Sequence, residues 1–224
     1  MPRDAHRPVL TADQIIDAAV ELTAQRGLDG WSQRDLATTL GTWHNNIAHH
    51  TGDRETLLRL VVNRVVTTMP NPPTDLDWQD WFREVLYPAR PIARRHRGVA
   101  SHIARYGPNV PAALPIIDHG IQVLTHAGFG PQATLVYRYL FNSAFALIAV
   151  EDDQDAHPPA SLTLRDTLKA KDPQEHPGLA TAAADIADRQ TAGSQAAADA
   201  FYQFTIERAL AGAAALLAAD TNAD

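Results

Sequence analysis

The sequence predicts an all-α protein with a helix-turn-helix unit at its N-terminus and a larger helical part behind it. Apolar residues recur at helical spacing along most of the chain, and capping residues and glycines bracket the short segments of the first 68 residues. No stretch shows the alternation typical of a strand. The proline-rich segment 69–75 marks a domain boundary, which predicts one domain at 1–68 and another at 69–224.

The first two helices carry the same start signal. Thr11 can cap the first helix with Gln14 at the capping-box position, and Ser32 can cap the second with Asp35 in that place. Glycines that follow the apolar stripes end both helices, the first at Gly27.

A third helix is predicted between about residues 42 and 50, because Gly52 breaks it. Asp53 can cap a fourth helix that runs from Arg54 towards Thr68. Two short helices joined by a glycine turn are typical of a helix-turn-helix.

Beyond the boundary the pattern is again helical. The segment 131–153 is apolar on nearly every face through its middle, which predicts burial on all sides. Residues 154–176 are polar and read as a long surface loop. The predicted helices are 77–96, interrupted by Pro88 and Pro91, then 98–106, 111–127, 131–153, 177–190 and 195–219.

Composition limits the function. The chain has no cysteine, which excludes disulfides, thiolate metal sites and cysteine nucleophiles. Its net charge of −7 is uneven: residues 1–68 carry seven Arg and eight acidic residues, and the rest carries most of the negative charge. A nucleic-acid binder of this charge needs locally placed cations.

Membrane association is not expected. The longest weakly polar run is taken to be 209–219, shorter than the about 20 residues that cross a bilayer, and no apolar signal core follows the N-terminal charges. The expected location is therefore the cytoplasm.

The segment "TWHNNIAHH" admits several interpretations. A metal site favours histidines at i and i+4, whereas His44, His49 and His50 are spaced by five and one. Catalysis needs a nucleophile or an acid pair, which the segment lacks. A solvated polar face remains open, but uncharged hydrogen-bonding side chains on a helix after a glycine turn favour base recognition in a major groove.

Residues 10–66 resemble the DNA-binding domain of TetR-family transcriptional repressors. The resemblance depends on "DAAVELTAQRGLDG", on the pattern S-x-R-D-L-A-x-x-L-G, and on H-H-x-x-D-R-E-x-L-L. This sequence departs from the family at three positions: Trp43 replaces a serine-like cap, Ala48 a tyrosine, and Thr51 an aromatic residue.

The resemblance implies a DNA-contacting surface. Gln33 and Arg34 would touch phosphate and base edges, Arg54 would hold a phosphate, and Ile47 would point into the core. Trp43 would either pack on Ile47, which we favour, or stack on the sugar–phosphate backbone. The remaining implied contacts are Thr42, His44, Asn45, Asn46, His49 and His50.

For the second domain, the resemblance implies a small-molecule effector and a homodimer. Dimerisation also follows from the need to present two recognition helices to half-sites about 34–36 Å apart. The interface candidates are the helices 131–153 and 195–219, for which an intrachain core is the alternative.

The segments "WQDWFREVL", "GVASHIARYG", "AGFG", "AVEDDQ" and "FYQFTIERALAG" look like effector domains of the family's tetracycline-binding repressors. His102 and Glu151 match positions that help to hold a magnesium–drug chelate there. Other drug-contacting positions hold Pro70, Val85 and Gly120, which cannot donate or accept through a side chain. We therefore expect a different ligand and no cofactor; a chelated metal is the less favoured alternative, because two ligands make a thin site.

The candidate ligand-contacting residues are aromatic and polar side chains of this half. Core packing is the commoner role for each aromatic ring, whereas the ionisable His102 and Glu151 need a reason to lie in apolar helical surroundings. The candidates are Trp78, Trp81, Phe82, His102, Tyr106, His119, Gln122, Tyr137, Phe141, Asn142 and Glu151.

The expected function is a repressor that binds palindromic double-stranded operator DNA as a dimer and is released by its effector, with the fourth helix coupling the two domains. The alternative is an all-α enzyme acting on a small molecule. No nucleophile–base pair, phosphate loop or metal motif occurs at a recognisable spacing, so we assign no catalytic residue.

Overall fold

A computed structural model describes residues 10–157, 167–168, 171–192 and 194–221, and every element in these ranges is helical. Short 3-10 turns at Pro111–Ala113 and Gly130–Gln132 precede two of the helices. The helices are α1 (Ala12–Arg26), α2 (Gln33–Thr39), α3 (His44–Thr51), α4 (Arg54–Val66), α5 (Trp78–Arg95), α6 (Val99–Tyr106), α7 (Leu114–His126), α8 (Ala133–Ala156), α9 (Pro177–Ala192) and α10 (Ser194–Thr221).

The predicted capping boxes are confirmed. The Thr11 hydroxyl accepts from the Gln14 amide, and the Gln14 side chain accepts from the Thr11 amide at 3.0 Å. Ser32 and Asp35 make the same reciprocal pair at the start of α2. Both boxes satisfy amide groups that have no partner within the helix.

The helix-turn-helix unit packs around an apolar centre. Ile47 of α3, Leu36 of α2 and Leu57 of α4 are fully buried. Trp31 is buried beside them, and its indole N–H donates to the Thr23 hydroxyl at 2.9 Å, which satisfies a polar atom that burial would otherwise leave unpaired.

The prediction that Pro88 and Pro91 interrupt a helix is wrong, because α5 runs unbroken through both. Each proline removes one amide donor from the helix, at a cost of about 3 kcal/mol. Leu86, Ala89 and Ala93 on the inner face are almost completely buried, and this burial offsets the lost backbone bonds.

Helix α8 lies at the centre of the second half and packs against α5, α6, α7 and α10. The prediction that it is buried on all sides is wrong for the single chain. Val136 and Leu140 face the core, but Leu135 is 64% exposed, and Tyr139 and Val150 are also exposed. One apolar stripe of α8 therefore lies on the surface.

Residues 209–219 are not the longest apolar stretch either. The helical stretch Gly130–Ala156 is longer, and by length and composition alone it would suffice to cross a membrane. A central core helix passes the same test, and α8 contacts four other helices of this chain.

The C-terminal helices begin and end close to their predicted bounds. Helix α9 extends to Ala192 and α10 to Thr221, whereas α8 continues to Ala156 into the predicted loop. The rest of that loop lies partly outside the described residues, which omit 158–166 and 169–170.

Candidate nucleic-acid interface and ligand cavity

Helix α3 presents an acid-free polar surface anchored by one apolar residue. Ile47 is fully buried, so the residues on the other sides of the helix point outward. The nearest acidic residue in sequence after Asp35 is Asp53, beyond the end of the helix. The exposed side chains are those of His44, Asn45, Asn46, His49 and His50.

Trp43 lies outside the core. It is the N-cap of α3, makes no side-chain capping bond, and is 81% exposed. The favoured interpretation, packing on Ile47, is therefore wrong: Leu36 and Leu57 already fill the centre with Ile47, and the extended cap directs the indole to solvent.

Several side chains of this surface hold one another. The Asn46 amide donates to the Thr42 hydroxyl at 3.0 Å. The rings of His49 and His50 stack with centroids 5.5 Å apart. These contacts limit the rotamers of exposed side chains, which lowers the entropy lost when they bind a partner.

The three residues predicted beside α3 differ in their freedom. The Gln33 amide donates to the Gly52 carbonyl at 3.1 Å, and the Arg54 guanidinium donates to the Trp31 carbonyl at 2.6 Å. Arg54 also lies over the Trp31 ring. Its guanidinium therefore contacts the helix-turn-helix unit itself and is less available to a DNA phosphate than Arg34. Arg34 is exposed, and its side chain makes no hydrogen bond or salt bridge within the described residues.

An apolar cavity of about 440 Å³ lies between the end of α4 and helices α6, α7 and α8. Three predicted residues line it: Tyr137, Phe141 and Asn142. The Tyr137 and Phe141 rings stack with centroids 4.4 Å apart and planes 27° apart. Polar groups enter the lining from Thr134 and Arg138.

Sequence reasoning missed most of this lining. Phe145 follows Phe141 by one helical turn, and Arg138 and Thr134 lie on the same side of α8, so helical spacing from Tyr137 could have found them. The aliphatic part carried no such signal. The missed residues include Val66, Met69, Ile103, Ala113, Ile116, Ile117, Ile121, Thr134, Arg138 and Phe145.

Other predicted ligand residues lie outside this cavity lining. Trp81 and Phe82 are fully buried in the core, where the Trp81 indole donates to the Pro72 carbonyl at 3.1 Å. Trp78 is buried with them, edge-on to Phe129. Gln122 is exposed on α7, and His119 is half-buried with an Nδ1 atom that finds no partner in the described part of the chain.

Glu151 is committed to an ion-pair network and not to the cavity. Its carboxylate accepts from Arg90 at 3.0 and 3.2 Å, and Arg94 lies 3.5 Å away. Arg90 also pairs with Asp199, which ties α5, α8 and α10 together. A buried carboxylate needs such partners, and this explains why an acid lies in apolar surroundings.

A chelated metal does not fit the matched pair. Glu151 is saturated by arginines, and His102 lies at a different cleft, so the two side chains do not converge. Among the described residues, no three histidine or acidic side chains come together as a metal site requires.

That second cleft, of about 550 Å³, separates the helix-turn-helix unit from α6. Both His102 and Tyr106 line it, with ring centroids 4.9 Å apart. Burial lowers the pKa of His102, which favours the neutral imidazole.

Known proteins resemble this chain in part of its sequence and in its fold. No protein-family model matches the chain. Over 97 residues it is 30% identical to the HTH-type transcriptional repressor DrrR1 of Streptomyces coeruleorubidus. That match covers 42% of this chain and 36% of the repressor, so it spans about a third of the relative's length.

Solved structures match along nearly the whole chain. The TetR family protein ActR of Streptomyces coelicolor, in complex with actinorhodin, aligns with a TM-score of 0.73 and 24% identity over 92% of this chain and 98% of that one. Apo ActR aligns with a TM-score of 0.69 and 25% identity over 91% and 98%. TetR from Acinetobacter baumannii AYE aligns with a TM-score of 0.69 and 20% identity over 92% and 98%.

The fold of this chain is thus the one seen in these TetR-family structures, with an N-terminal helix-turn-helix unit and a helical C-terminal part. This chain's structural relatives are TetR-family regulators, and its curated relative is a transcriptional repressor.

Proposed function

We propose that the protein is a ligand-responsive transcriptional repressor that binds palindromic operator DNA as a homodimer in the cytoplasm and is released by a small molecule. The observation that carries the proposal is the outer surface of α3. Its exposed residues donate or accept hydrogen bonds, none is acidic, and buried Ile47 fixes which side faces out. Such a helix suits the major groove, where carboxylates would meet phosphate repulsion.

Charge on this surface is supplied locally. Arg34 at the start of α2 is exposed and has no carboxylate partner in the described ranges. With few cations available, we expect a small number of phosphate contacts, so affinity should depend on salt with a shallow slope.

The proposed dimer uses the exposed faces of α8 and α10, which pack side by side. Leu135, Tyr139 and Val150 on α8 and Phe204 and Leu216 on α10 are large apolar residues on the surface of the single chain. Large exposed apolar side chains on two packed helices are typical of an interaction site. A second copy would cover both helices at once and form a four-helix interface.

The proposed effector is a planar aromatic molecule that carries oxygen substituents. Stacked Tyr137 and Phe141 offer flat faces inside the apolar cavity, and Arg138, Thr134 and Asn142 offer polar points. A small set of polar groups in an apolar lining is typical of a specific ligand site. ActR, a structural relative, has been crystallised with actinorhodin.

Helix α4 is the proposed route from ligand to DNA. Val66 at its C-terminal end lines the cavity, while its N-terminal end follows α3. The Asn63 side chain also accepts from the Ala112 amide at 2.9 Å, which ties α4 to the segment before α7. A ligand can shift the position of α4 only if it binds more tightly to one conformation of the protein than to the other.

The alternative of an all-α enzyme has less support, because the relatives found are regulators. A gel-shift experiment on DNA upstream of the protein's own gene, at two salt concentrations, separates the two. A sequence-specific complex that weakens with salt supports the repressor, and equal binding to unrelated DNA of the same length contradicts it.

A further inference from the structure

We propose that the cleft between the helix-turn-helix unit and α6 is a second ligand site, which binds an aromatic anion and modulates DNA binding independently of the apolar cavity. The cleft is the larger of the two, at about 550 Å³. Its ligand class follows from the charges and rings of its walls.

One wall belongs to the helix-turn-helix unit and the other to the second domain. A ligand that controls DNA binding from this cleft would have to change the position of one relative to the other. One wall is the α1–α2 turn, with Leu28 and Asp29, and the first turns of α4 from Arg54 to Arg59. The other wall belongs to α6 and the residues after it. It contains Gly98, Ser101, His102, Arg105, Tyr106 and Asn109.

Two guanidinium groups of the cleft lack an acidic partner. Arg59 reaches only the Thr56 hydroxyl, at 3.4 Å, and Arg105 lies over the Tyr106 ring with its guanidinium carbon 5.9 Å from the centroid. Neither forms a salt bridge within the described part of the chain, and Asp53 interacts with Arg59 only at longer range. The walls thus offer one unpaired guanidinium from each side.

The remaining charges of the cleft partly cancel. Asp29 lies 3.8 Å from Arg54, which is also held by the Trp31 carbonyl. Glu55 is the remaining carboxylate in the lining, so the lining holds three arginines and two carboxylates. The balance is positive, which favours an anion over a cation.

Aromatic and apolar groups give the cleft its second preference. The His102 and Tyr106 rings lie 4.9 Å apart on one wall, and Leu28 and Leu58 contribute apolar surface opposite. Tyr106 is largely exposed, so its ring can contact a ligand without any loss of core packing. A flat ring bearing a carboxylate or sulfonate satisfies both walls.

An occupant would bridge the two walls and set their separation. The two walls are joined nearby by the Leu28 amide, which donates to the Arg97 carbonyl at 2.7 Å. A molecule that binds Arg59 on α4 and Arg105 on α6 prefers one spacing, and this preference couples it to the position of the helix-turn-helix unit.

Calorimetric titration of the full chain with 1-naphthoate tests the site, with uncharged 1-naphthalenemethanol as the paired probe. We expect naphthoate to bind, and to lose roughly tenfold or more in affinity in Arg59→Gln and in Arg105→Gln, since each removes a charged hydrogen bond. The alcohol should bind at least about tenfold more weakly than naphthoate. Arg95→Gln is the matched control, because Arg95 is an exposed helical arginine outside the cleft.

Arg138→Gln distinguishes the two sites, because Arg138 lines the apolar cavity. Three results would overturn the proposal. Naphthoate affinity could stay unchanged in both cleft variants, or it could be lost only in Arg138→Gln. The acid and the alcohol could also bind with equal affinity. Undetectable binding by the unaltered protein at millimolar naphthoate would overturn it as well. Because the titration requires no DNA, failure of the repressor function would leave this result readable.

Discussion

Trp31 and Trp43 occupy opposite environments within one helix-turn-helix unit. Trp31 is buried and hydrogen-bonded to Thr23, whereas Trp43 stands at the start of α3 and is 81% exposed. Trp31 therefore belongs to the core, whereas Trp43 contributes little to packing and is free to contact a partner.

Trp43→Ala should weaken operator binding roughly tenfold while changing the free energy of unfolding by no more than about 0.5 kcal/mol, because an exposed side chain contributes little to packing. Trp31→Ala should lower the free energy of unfolding by about 3–5 kcal/mol. Chemical denaturation and gel shift measure the two effects. Operator affinity that survives Trp43→Ala unchanged would remove this residue from the interface.

Gly120 is the residue that makes room for the ring of Tyr137. A Cβ atom at Gly120 would lie 2.6 Å from Tyr137 Cε2 and 3.0 Å from the Trp81 ring, closer than packed atoms allow. The sequence indicated only that Gly120 cannot make a side-chain hydrogen bond to a ligand, and the structure shows that it makes room for the Tyr137 and Trp81 rings.

Gly120→Ala should cost about 1–3 kcal/mol of stability through overpacking and should change effector affinity by displacing Tyr137. Gly178→Ala is the control, since a Cβ there meets nothing within 4 Å. Thermal unfolding checks the first effect. Equal stability of the two variants would show that the Tyr137 and Trp81 rings move aside without lowering the free energy of unfolding.

At the scale of elements, the sequence was informative where local signals dominate. Caps at Thr11, Ser32 and Asp53 indicated where α1, α2 and α4 begin, because capping is decided by neighbours along the chain. The path of α5 through Pro88 and Pro91 depends on packing against distant helices. Local reading cannot supply that information, and for the same reason it missed the arginine partners of Glu151.

The exposed stripe of α8 leads to a prediction about assembly. Leu135→Glu should raise the dissociation constant of the proposed dimer at least roughly a hundredfold, because it would bury an unpaired charge in the interface. Leu114→Glu is matched in chemistry and in exposure, 63% against 64% for Leu135, but lies on α7. Sedimentation velocity reports the mass. A dimer that tolerates both changes equally would place the interface elsewhere.

The junction of α5 and α10 leads to a prediction about pH. Glu207 accepts from Arg83 and from the Tyr87 hydroxyl, and these bonds lower the pKa of its carboxyl to about 2. A carboxyl whose pKa is depressed by folding contributes stability above its unfolded value of 4.5, and this contribution is lost as pH falls towards 2.

Glu207→Gln should therefore flatten the decline in the free energy of unfolding between about pH 5 and pH 2. Denaturation at several pH values compares the variant with the unaltered chain. A constant difference between them over this whole range would show that the Arg83 and Tyr87 contacts do not depress the pKa.

For the whole molecule, the proposed DNA-facing surface could be predicted from the sequence pattern, whereas most of the cavity lining could not. The outward residues of α3 could be named from the sequence because one buried residue, Ile47, sets the orientation of a short helix. The cavity unites α4, α6, α7 and α8, and its residues are far apart in sequence. Of the predicted ligand residues, Tyr137, Phe141 and Asn142 line it, while His102 and Tyr106 face the other cleft.

The central claim is that α3 reads base edges while Arg34 holds a phosphate. The most direct measurement is the operator affinity of the unaltered protein, Arg34→Ala and Asn46→Ala as a function of salt concentration, with Arg95→Ala as control. Arg34→Ala should reduce the slope of log affinity against log salt by about 0.9. Asn46→Ala should weaken specific binding by about 1–3 kcal/mol and leave the slope unchanged. Affinity and slope that stay the same in both variants would contradict the claim.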